Sequence, residues 1–310
     1  MGPLSALLAP FQDIVQNPTF FAEVLIGGVA AGLMYSLVAL GFVLIFKASG
    51  VFNFAQGVMV LFAALTLVGL MERGLPVPAA LVVTALVMVA LAVGIERVVL
   101  RPLVNQAPII LFMATIGLTF FLEGFGELLW GSNVKRLDVG IPDESVKVAG
   151  ILVNKLEMTA ALTAGILVAA LAVFFQRTRI GRALRAVADD HEAALSLGIP
   201  LKTIWVIVWG VAGLVGIVAG IMWGAKSGVQ FSLSLIALKA LPVLILGGFT
   251  SVPGAIVGGL IIGVGEKTAE VYWGPLVGGA IENWFAYVLA LAFLLVRPQG
   301  LFGERIIERV

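Results

Sequence analysis

Two carboxylates in one long apolar segment are the ionisable groups whose spacing could serve a chemical purpose. At helical spacing, the residues of segment 254–272 that share one face are Gly259, Gly263, Glu266 and Glu270. A carboxylate inside an apolar helix is costly unless it finds a partner or a water-filled path, and Lys239 and Lys267 are the candidate partners. For Glu266, both a position on such a path and an internal ion pair remain open. Glu270 is expected to lie at the end of the segment, at an interface.

A second polar site follows the interruption "SGVFNFAQG" at residues 49–57. Gly50 permits a sharp turn, and Asn53 can cap a following helix with Gln56 three residues on, a spacing related to the capping box. The start of a helix exposes free amides and the positive end of its dipole, which together favour a carboxylate. The alternative is an ordinary turn with a cap. A similar interruption, "GGFTSVPG" at residues 247–254, lies in the second half of the chain and weakly indicates an internal repeat.

Several classes of site are excluded by residue types. The chain has no cysteine and a single histidine, His191, so no metal site and no cofactor is predicted. The segment "GVGEKT" at residues 263–268 resembles the end of a phosphate-binding loop, but Glu266 stands where the lysine should follow Gly265. No paired catalytic groups support an enzyme. The formal net charge of +1 argues against a nucleic-acid surface.

Composition places these residues in a membrane protein. The 310 residues are 61% hydrophobic and only 12% charged, too little charge to cover a soluble domain of this length. A membrane-crossing helix needs roughly 20 apolar residues. The predicted spans lie near residues 20–46, 54–71, 77–99, 107–130, 158–175, 204–224, 234–248, 254–272 and 282–297. We therefore predict an all-α polytopic fold in a single domain, residues 1–310, with about eight to nine spans. The second and seventh are short and could be broken.

The distribution of basic residues predicts an orientation. If segment 176–203 is cytoplasmic, most lysines and arginines near span ends lie on that side, as the positive-inside rule requires. The N-terminus is then outside and the C-terminus inside. Residues 131–157 form an external loop in which acids accompany the bases, and residues 298–310 form a cytoplasmic tail.

The segment 178–200, "TRIGRALRAVADDHEAALSLGIP", concentrates charge between two apolar spans. As one helix from about residue 180 to residue 195 it is amphipathic. The apolar face at helical spacing comprises Leu184, Val187, Ala188, His191 and Leu195. Arg182, Arg185, Asp189 and Glu192 lie opposite, and Gly198 ends the helix. Such a helix either inserts its apolar face into a groove of a soluble partner or rests on its own bundle.

Four stretches of this sequence resemble one transporter family. They are "GRALRAVADDHEAALSLGIP" (181–200), "FNFAQG" (52–57), "GGFTSVPGAIVGGLIIGVGE" (247–266) and "RPQGLFGE" (297–304), which agree in order and spacing over nearly the whole chain. The family is that of permeases in branched-chain amino-acid ABC importers. One departure is that many members have His and Glu where this chain has Gln56 and Val58. A titratable pair is therefore missing.

The resemblance implies an ABC importer permease architecture, a set of partners and roles for particular residues. The partners are a second, paralogous permease subunit, two ATP-binding subunits and a periplasmic substrate-binding protein, all at the lipid bilayer of the bacterial inner membrane. The residues expected to couple to the ATPase are Gly181, Arg182, Arg185, Asp189, Asp190, Glu192 and Gly198. Those expected to border the translocation path are Asn53, Gln56, Gly259, Gly263 and Glu266.

The favoured function is therefore a non-catalytic, membrane-spanning subunit of an ATP-driven importer for branched-chain or related amino acids, with ATP hydrolysed on another chain. A permease of a related importer for urea or short amides is an alternative. An ion-coupled secondary carrier is a weaker one, because Glu266 alone would have to supply its ion site.

Overall fold

The computed structural model describes residues 3–50, 52–103, 106–148, 150–189 and 191–303, and for residues 3–7, 189 and 191–193 the backbone only. The α-helices are α1 (Pro3–Gln16), α2 (Pro18–Ser49), α3 (Gln56–Glu72), α4 (Val77–Gly94), α5 (Pro108–Trp130), α6 (Lys155–Arg177), α7 (Arg179–Asp189), α8 (His191–Ser196), α9 (Leu201–Ser227), α10 (Ile236–Gly247), α11 (Val252–Tyr272), α12 (Gly274–Val277) and α13 (Phe285–Val296). A hairpin of β1 (Ser145–Val148) and β2 (Ile151–Asn154) lies between α5 and α6.

Long apolar helices dominate the fold. The six that are long and apolar enough to cross a membrane are Pro18–Ser49, Val77–Leu103, Pro108–Trp130, Lys155–Arg177, Leu201–Ser227 and Val252–Tyr272. Three shorter apolar segments are Gln56–Glu72, Phe231–Gly247 and Phe285–Val296. The prediction of an all-α polytopic membrane fold with some short or broken spans is confirmed. The last span is short as well, because a 3₁₀ turn (Ile281–Asn283) precedes α13. The β hairpin was not predicted.

Helix α2 forms the centre of the bundle. It packs against α11, α9, α6 and α10, and every residue from Met34 to Ile45 is buried. A helix that is apolar on all sides belongs inside a bundle. Its contact with α11 is the most extensive and runs antiparallel, since Gly28 meets Val264 while Ser36 meets Gly259. Helix α2 is thus the axis against which the other elements are positioned.

Helix α3 is short yet entirely internal. Its 17 residues rise about 25 Å, less than the roughly 30 Å of a hydrocarbon core. Residues 56–69 are all buried, between α9, α5, α4 and the 3₁₀ turn Phe231–Leu235. A helix that ends within the membrane domain is tolerated when protein covers its ends. The short second span predicted from sequence is therefore a core element, whereas α4, α5 and α6 are largely exposed at the periphery.

The connections differ slightly from the predicted boundaries. Helix α6 begins at Lys155, so the loop predicted at 131–157 ends at residue 154, and it contains the hairpin. Residues 178–200 connect α6 to α9, where the sequence predicted 176–203. Of the predicted tail 298–310, residues 304–310 lie outside the described residues.

Candidate functional site

The buried polar centre of the bundle is a group of three side chains on α2, α10 and α11. Glu266 is only 4% exposed, and its Oε1 accepts hydrogen bonds from Lys239 Nζ at 2.9 Å and from Tyr35 Oη at 3.0 Å. Its Oε2 has no hydrogen-bond partner within the described part of the chain. Lys239 also donates to the carbonyl of Glu282 at 3.4 Å. Of the two candidate partners for Glu266, the structure therefore brings Lys239 to it, in an internal ion pair.

Glu270, one turn further along α11, has a different task. Its Oε1 accepts from the amide of Ala280 at 3.1 Å, and its Oε2 accepts from the amide of Glu282 at 2.9 Å. Ala280 has a φ of 61°, in the left-handed region that a residue with a side chain adopts reluctantly. Glu270 therefore holds the turn between α12 and α13, at the end of its helix as expected.

Gly259 and Gly263, which were predicted to border a path, lie on the face of α11 that meets α2. A Cβ on Gly259 would collide with Ser36 Oγ, and one on Gly263 would collide with the backbone nitrogen of Gly32. Both glycines therefore lie in the contact between α11 and α2, with no space for a solute. Small residues let two membrane helices approach closely, and that is their function here.

The predicted helix cap at Asn53 is wrong in detail. Helix α3 begins at Gln56, and its N-cap is Ala55, which makes no side-chain cap hydrogen bond. Asn53 Oδ1 accepts from the amide of Ala55 at 3.1 Å, a local turn that precedes the helix. The side chain of Gln56 does not reach back to Asn53, although its backbone amide donates to the carbonyl of Asn53 at 3.3 Å. Its Nε2 donates to the carbonyl of Ala212 at 3.4 Å.

Asn53 and Gln56 are both completely buried, and they lie apart from the Glu266 group. The amide of Gln56 packs against Gly41 of α2, where a Cβ would collide with it. Val58 is 1% exposed. A carboxylate at position 58 would need a partner in this interior, whereas valine needs none. The structure therefore does not bring the five predicted path residues together around one cavity.

The α7 helix rests on its own bundle. Leu184 and Val187 are 1% and 0% exposed, so this part of the predicted apolar face is covered by the chain itself. Gly181 lies against the backbone of Phe175, a contact that a Cβ would block. Arg185, predicted to lie opposite the apolar face, donates to the carbonyls of Phe175 and Gln176 at the end of α6. Arg182 is exposed and donates to the carbonyl of Arg177 at 3.4 Å.

The predicted helix 180–195 is described as helical on both sides of residue 190, as α7 and α8. Asp190 lies outside the described residues, as do the side chains of Asp189 and Glu192. Beyond residue 190, Ala194 is buried while Leu195, predicted to share the apolar face, is 53% exposed. Gly198 ends α8 with φ of 78°, and the amides of Gly198 and Ile199 donate to the carbonyls of Leu195 and Ala194. This is a Schellman motif, so Gly198 terminates the helix as predicted.

Together, the apolar helices and their buried polar group define a multi-pass membrane protein. Residues 24–297 match the family model described as branched-chain amino acid transport system / permease component. The chain belongs to this family, and the resemblance noted in its sequence is confirmed.

Its relatives agree over almost their full length. The chain is 28% identical over 310 residues to the high-affinity branched-chain amino acid transport system permease protein LivH of Salmonella typhimurium, covering 94% of this chain and 98% of the relative. It is 29% identical over 305 residues to BraD of Pseudomonas aeruginosa, of the same description, with the same coverage. Among solved structures, PsaBC from Streptococcus pneumoniae in complex with Fab is 16% identical with a TM-score of 0.47, covering 93% of this chain and 94% of that one.

Proposed function

We propose that this chain is the membrane-spanning subunit of an ATP-driven importer that carries branched-chain amino acids into the cell. The observation that carries the proposal is the family match over residues 24–297, together with relatives of the same length that are described as branched-chain amino acid permeases. The chain itself is non-catalytic in this proposal. ATP is hydrolysed by two separate ATP-binding subunits, and a periplasmic binding protein delivers the solute.

The proposed location is the bacterial inner membrane, with the N-terminus outside and the C-terminus in the cytoplasm. Nine apolar helical segments among the described residues are consistent with termini on opposite sides. The basic residues near span ends then favour the cytoplasm for the connection 178–200. A second permease subunit, of a paralogous sequence, would complete the path.

The proposed contact with the ATP-binding subunits is the tip of the connection 178–200. Leu195 and Leu197 are 53% and 77% exposed there, beside the rigid turn at Gly198. Exposed leucines next to a charged helix suit docking into a groove of a soluble partner. In this arrangement α7 is the rigid arm, fixed to α6 by Arg185, and α8 is the part that docks.

Transport by the complete complex tests the proposal. The chain is co-expressed with the proposed ATP-binding subunits, second permease and binding protein, and the complex is reconstituted in proteoliposomes. ATP-dependent uptake of L-leucine, L-isoleucine or L-valine is the expected result. Uptake of urea or short amides instead would show that the importer carries a different substrate. Uptake by this chain alone under an ion gradient would overturn the proposal.

Crosslinking tests the docking contact. A photo-crosslinking residue at Leu197 is expected to capture an ATP-binding subunit in cells. The matched control is the same residue at Leu184, which is 1% exposed and should capture none. Absence of any product at Leu197, with the complex intact, would contradict this contact.

A further inference from the structure

A cavity of about 230 Å³ lies between the end of α9 and the start of α10, on the side of the bundle that faces outside in the proposed orientation. The polar residues that line it are Trp223, Ser227, Gln230, Ser232 and Lys239. This volume is below the 300–1,000 Å³ of typical drug-sized pockets, so the cavity suits a small solute. It lies next to the Glu266 group, because Lys239 belongs to both.

The cavity presents hydrogen-bond donors that the protein does not fully use. An ammonium group has three N–H donors, and that of Lys239 uses two, toward Glu266 and the carbonyl of Glu282. The indole Nε1 of Trp223 is buried and has no acceptor among the described residues. An indole N–H can only donate. Lys239 and Trp223 both line the cavity and each has a spare donor, so the cavity suits a ligand that supplies acceptor atoms.

The remaining walls of the cavity are apolar. Leu233, Leu235 and Ile236 line it beside the polar residues. Tyr35 stacks on Trp223 with ring centroids 5.7 Å apart, which fixes the indole plane. A ligand with an anionic head and an aliphatic body would therefore meet donors at one end and apolar side chains at the other.

An outer cavity adjoins this one. It has a volume of about 630 Å³, is lined by the loop after α5 and the end of α9, and shares Ser227 and Gly228 with the Lys239 cavity. The loop is pinned at this place by two backbone hydrogen bonds between Lys135 and Val229, of 2.9 and 2.8 Å. The two cavities are therefore neighbours at the outer end of α9.

We propose that the Lys239–Trp223 cavity is a substrate-contact site of the permease, which binds the carboxylate of a small aliphatic amino acid. Lys239 Nζ and Trp223 Nε1 donate to the carboxylate, and the apolar wall receives the side chain. Glu266 is a positioning residue that holds Lys239 at the cavity through the 2.9 Å contact. The inference deepens the proposed function and rests on it for the identity of the transported solute.

The first test uses the complete importer in proteoliposomes. The variants are Trp223→Phe, which keeps the ring and loses the N–H, and the double change Lys239→Gln with Glu266→Gln, which leaves no buried charge unpaired. We expect uptake of L-leucine per ATP hydrolysed to fall about tenfold, while hydrolysis stimulated by the loaded binding protein stays near wild type. The matched control Trp284→Phe, at an exposed tryptophan, should change neither. Parallel loss of uptake and hydrolysis, or loss of neither, would overturn the proposal.

A second test does not depend on which solute the importer carries. The thermal stability of the purified complex is measured with L-leucine, with 3-methylbutanoate, which keeps the carboxylate, and with 3-methylbutylamine, which lacks it. The two carboxylates should raise the Tm of the wild type and not that of the double variant, and the amine should raise neither. If the wild type fails to import branched-chain amino acids but shows this pattern, only the proposed function fails. If neither carboxylate raises the Tm, the cavity is not a carboxylate site.

Discussion

Gly263 of α11 lies directly on Gly32 of α2, and the space between the two backbones does not admit a methyl group. Gly28 and Gly259 extend the contact by one turn in either direction. The helices run antiparallel, and helical side chains lean toward the N-terminus of their own helix. Tyr35 of α2 and Glu266 of α11 therefore lean toward each other and meet at 3.0 Å. The glycine contact thus sets the position of the buried polar group.

Replacing Gly263 by alanine should destabilise the protein by about 1–3 kcal/mol, because the helices must separate to accept the methyl group. Gly124→Ala on α5 is the matched control, since nothing lies within 4 Å of its Cβ position. The measurement is the Tm of the purified protein in detergent. Equal Tm values for the two variants would mean that α2 and α11 are not packed this closely.

Removing one partner of the Lys239–Glu266 ion pair should lower the stability of the protein more than removing both. Lys239→Met leaves the carboxylate of Glu266 buried without its cation, at a cost of about 3–5 kcal/mol. The double change Lys239→Met with Glu266→Gln removes the buried charge and should restore most of the stability. Thermal unfolding of the three proteins measures this. A double variant as unstable as Lys239→Met would show that lost packing, and not the unpaired charge, is responsible.

Arg185 should hold α7 against α6. It donates to the carbonyls of Phe175 and Gln176. These carbonyls belong to the last turn of α6, where a helix has no further amides to donate to them. Arg185→Ala should weaken this attachment by about 1 kcal/mol and speed hydrogen exchange in residues 179–188 by roughly fivefold. Arg182→Ala, which removes a single hydrogen bond of 3.4 Å from an exposed side chain, should have less effect. Identical exchange in both variants would contradict the role of Arg185.

The spans were predictable from sequence because length and hydropathy decide them, and the short second and seventh spans were recognised from their flanking glycines. Which helices pack against one another could not be predicted from the sequence. Periodicity placed Gly259, Gly263 and Glu266 on one face, but it could not show that α2 covers that face. Residues 180–195 were predicted to be helical because their apolar spacing is continuous, and the described residues on both sides of residue 190 are helical. Trp223 carried no recognisable pattern, since its partners in the cavity lie on other elements.

The turn at Gly198 gives the sharpest test of coupling. Its φ of 78° suits glycine, and asparagine adopts this conformation far more readily than a β-branched residue. Nothing lies within 4 Å of its Cβ position, so the backbone conformation and not a lack of space decides the effect of a substitution. Gly198→Val should therefore distort the backbone between α8 and α9, at a cost of about 1–3 kcal/mol, while Gly198→Asn should keep it. If α8 transmits motion from the ATP-binding subunits, the valine variant should hydrolyse ATP with little uptake of L-leucine in proteoliposomes. The asparagine variant should transport normally. Normal uptake by Gly198→Val would show that the geometry of this turn is not needed for coupling.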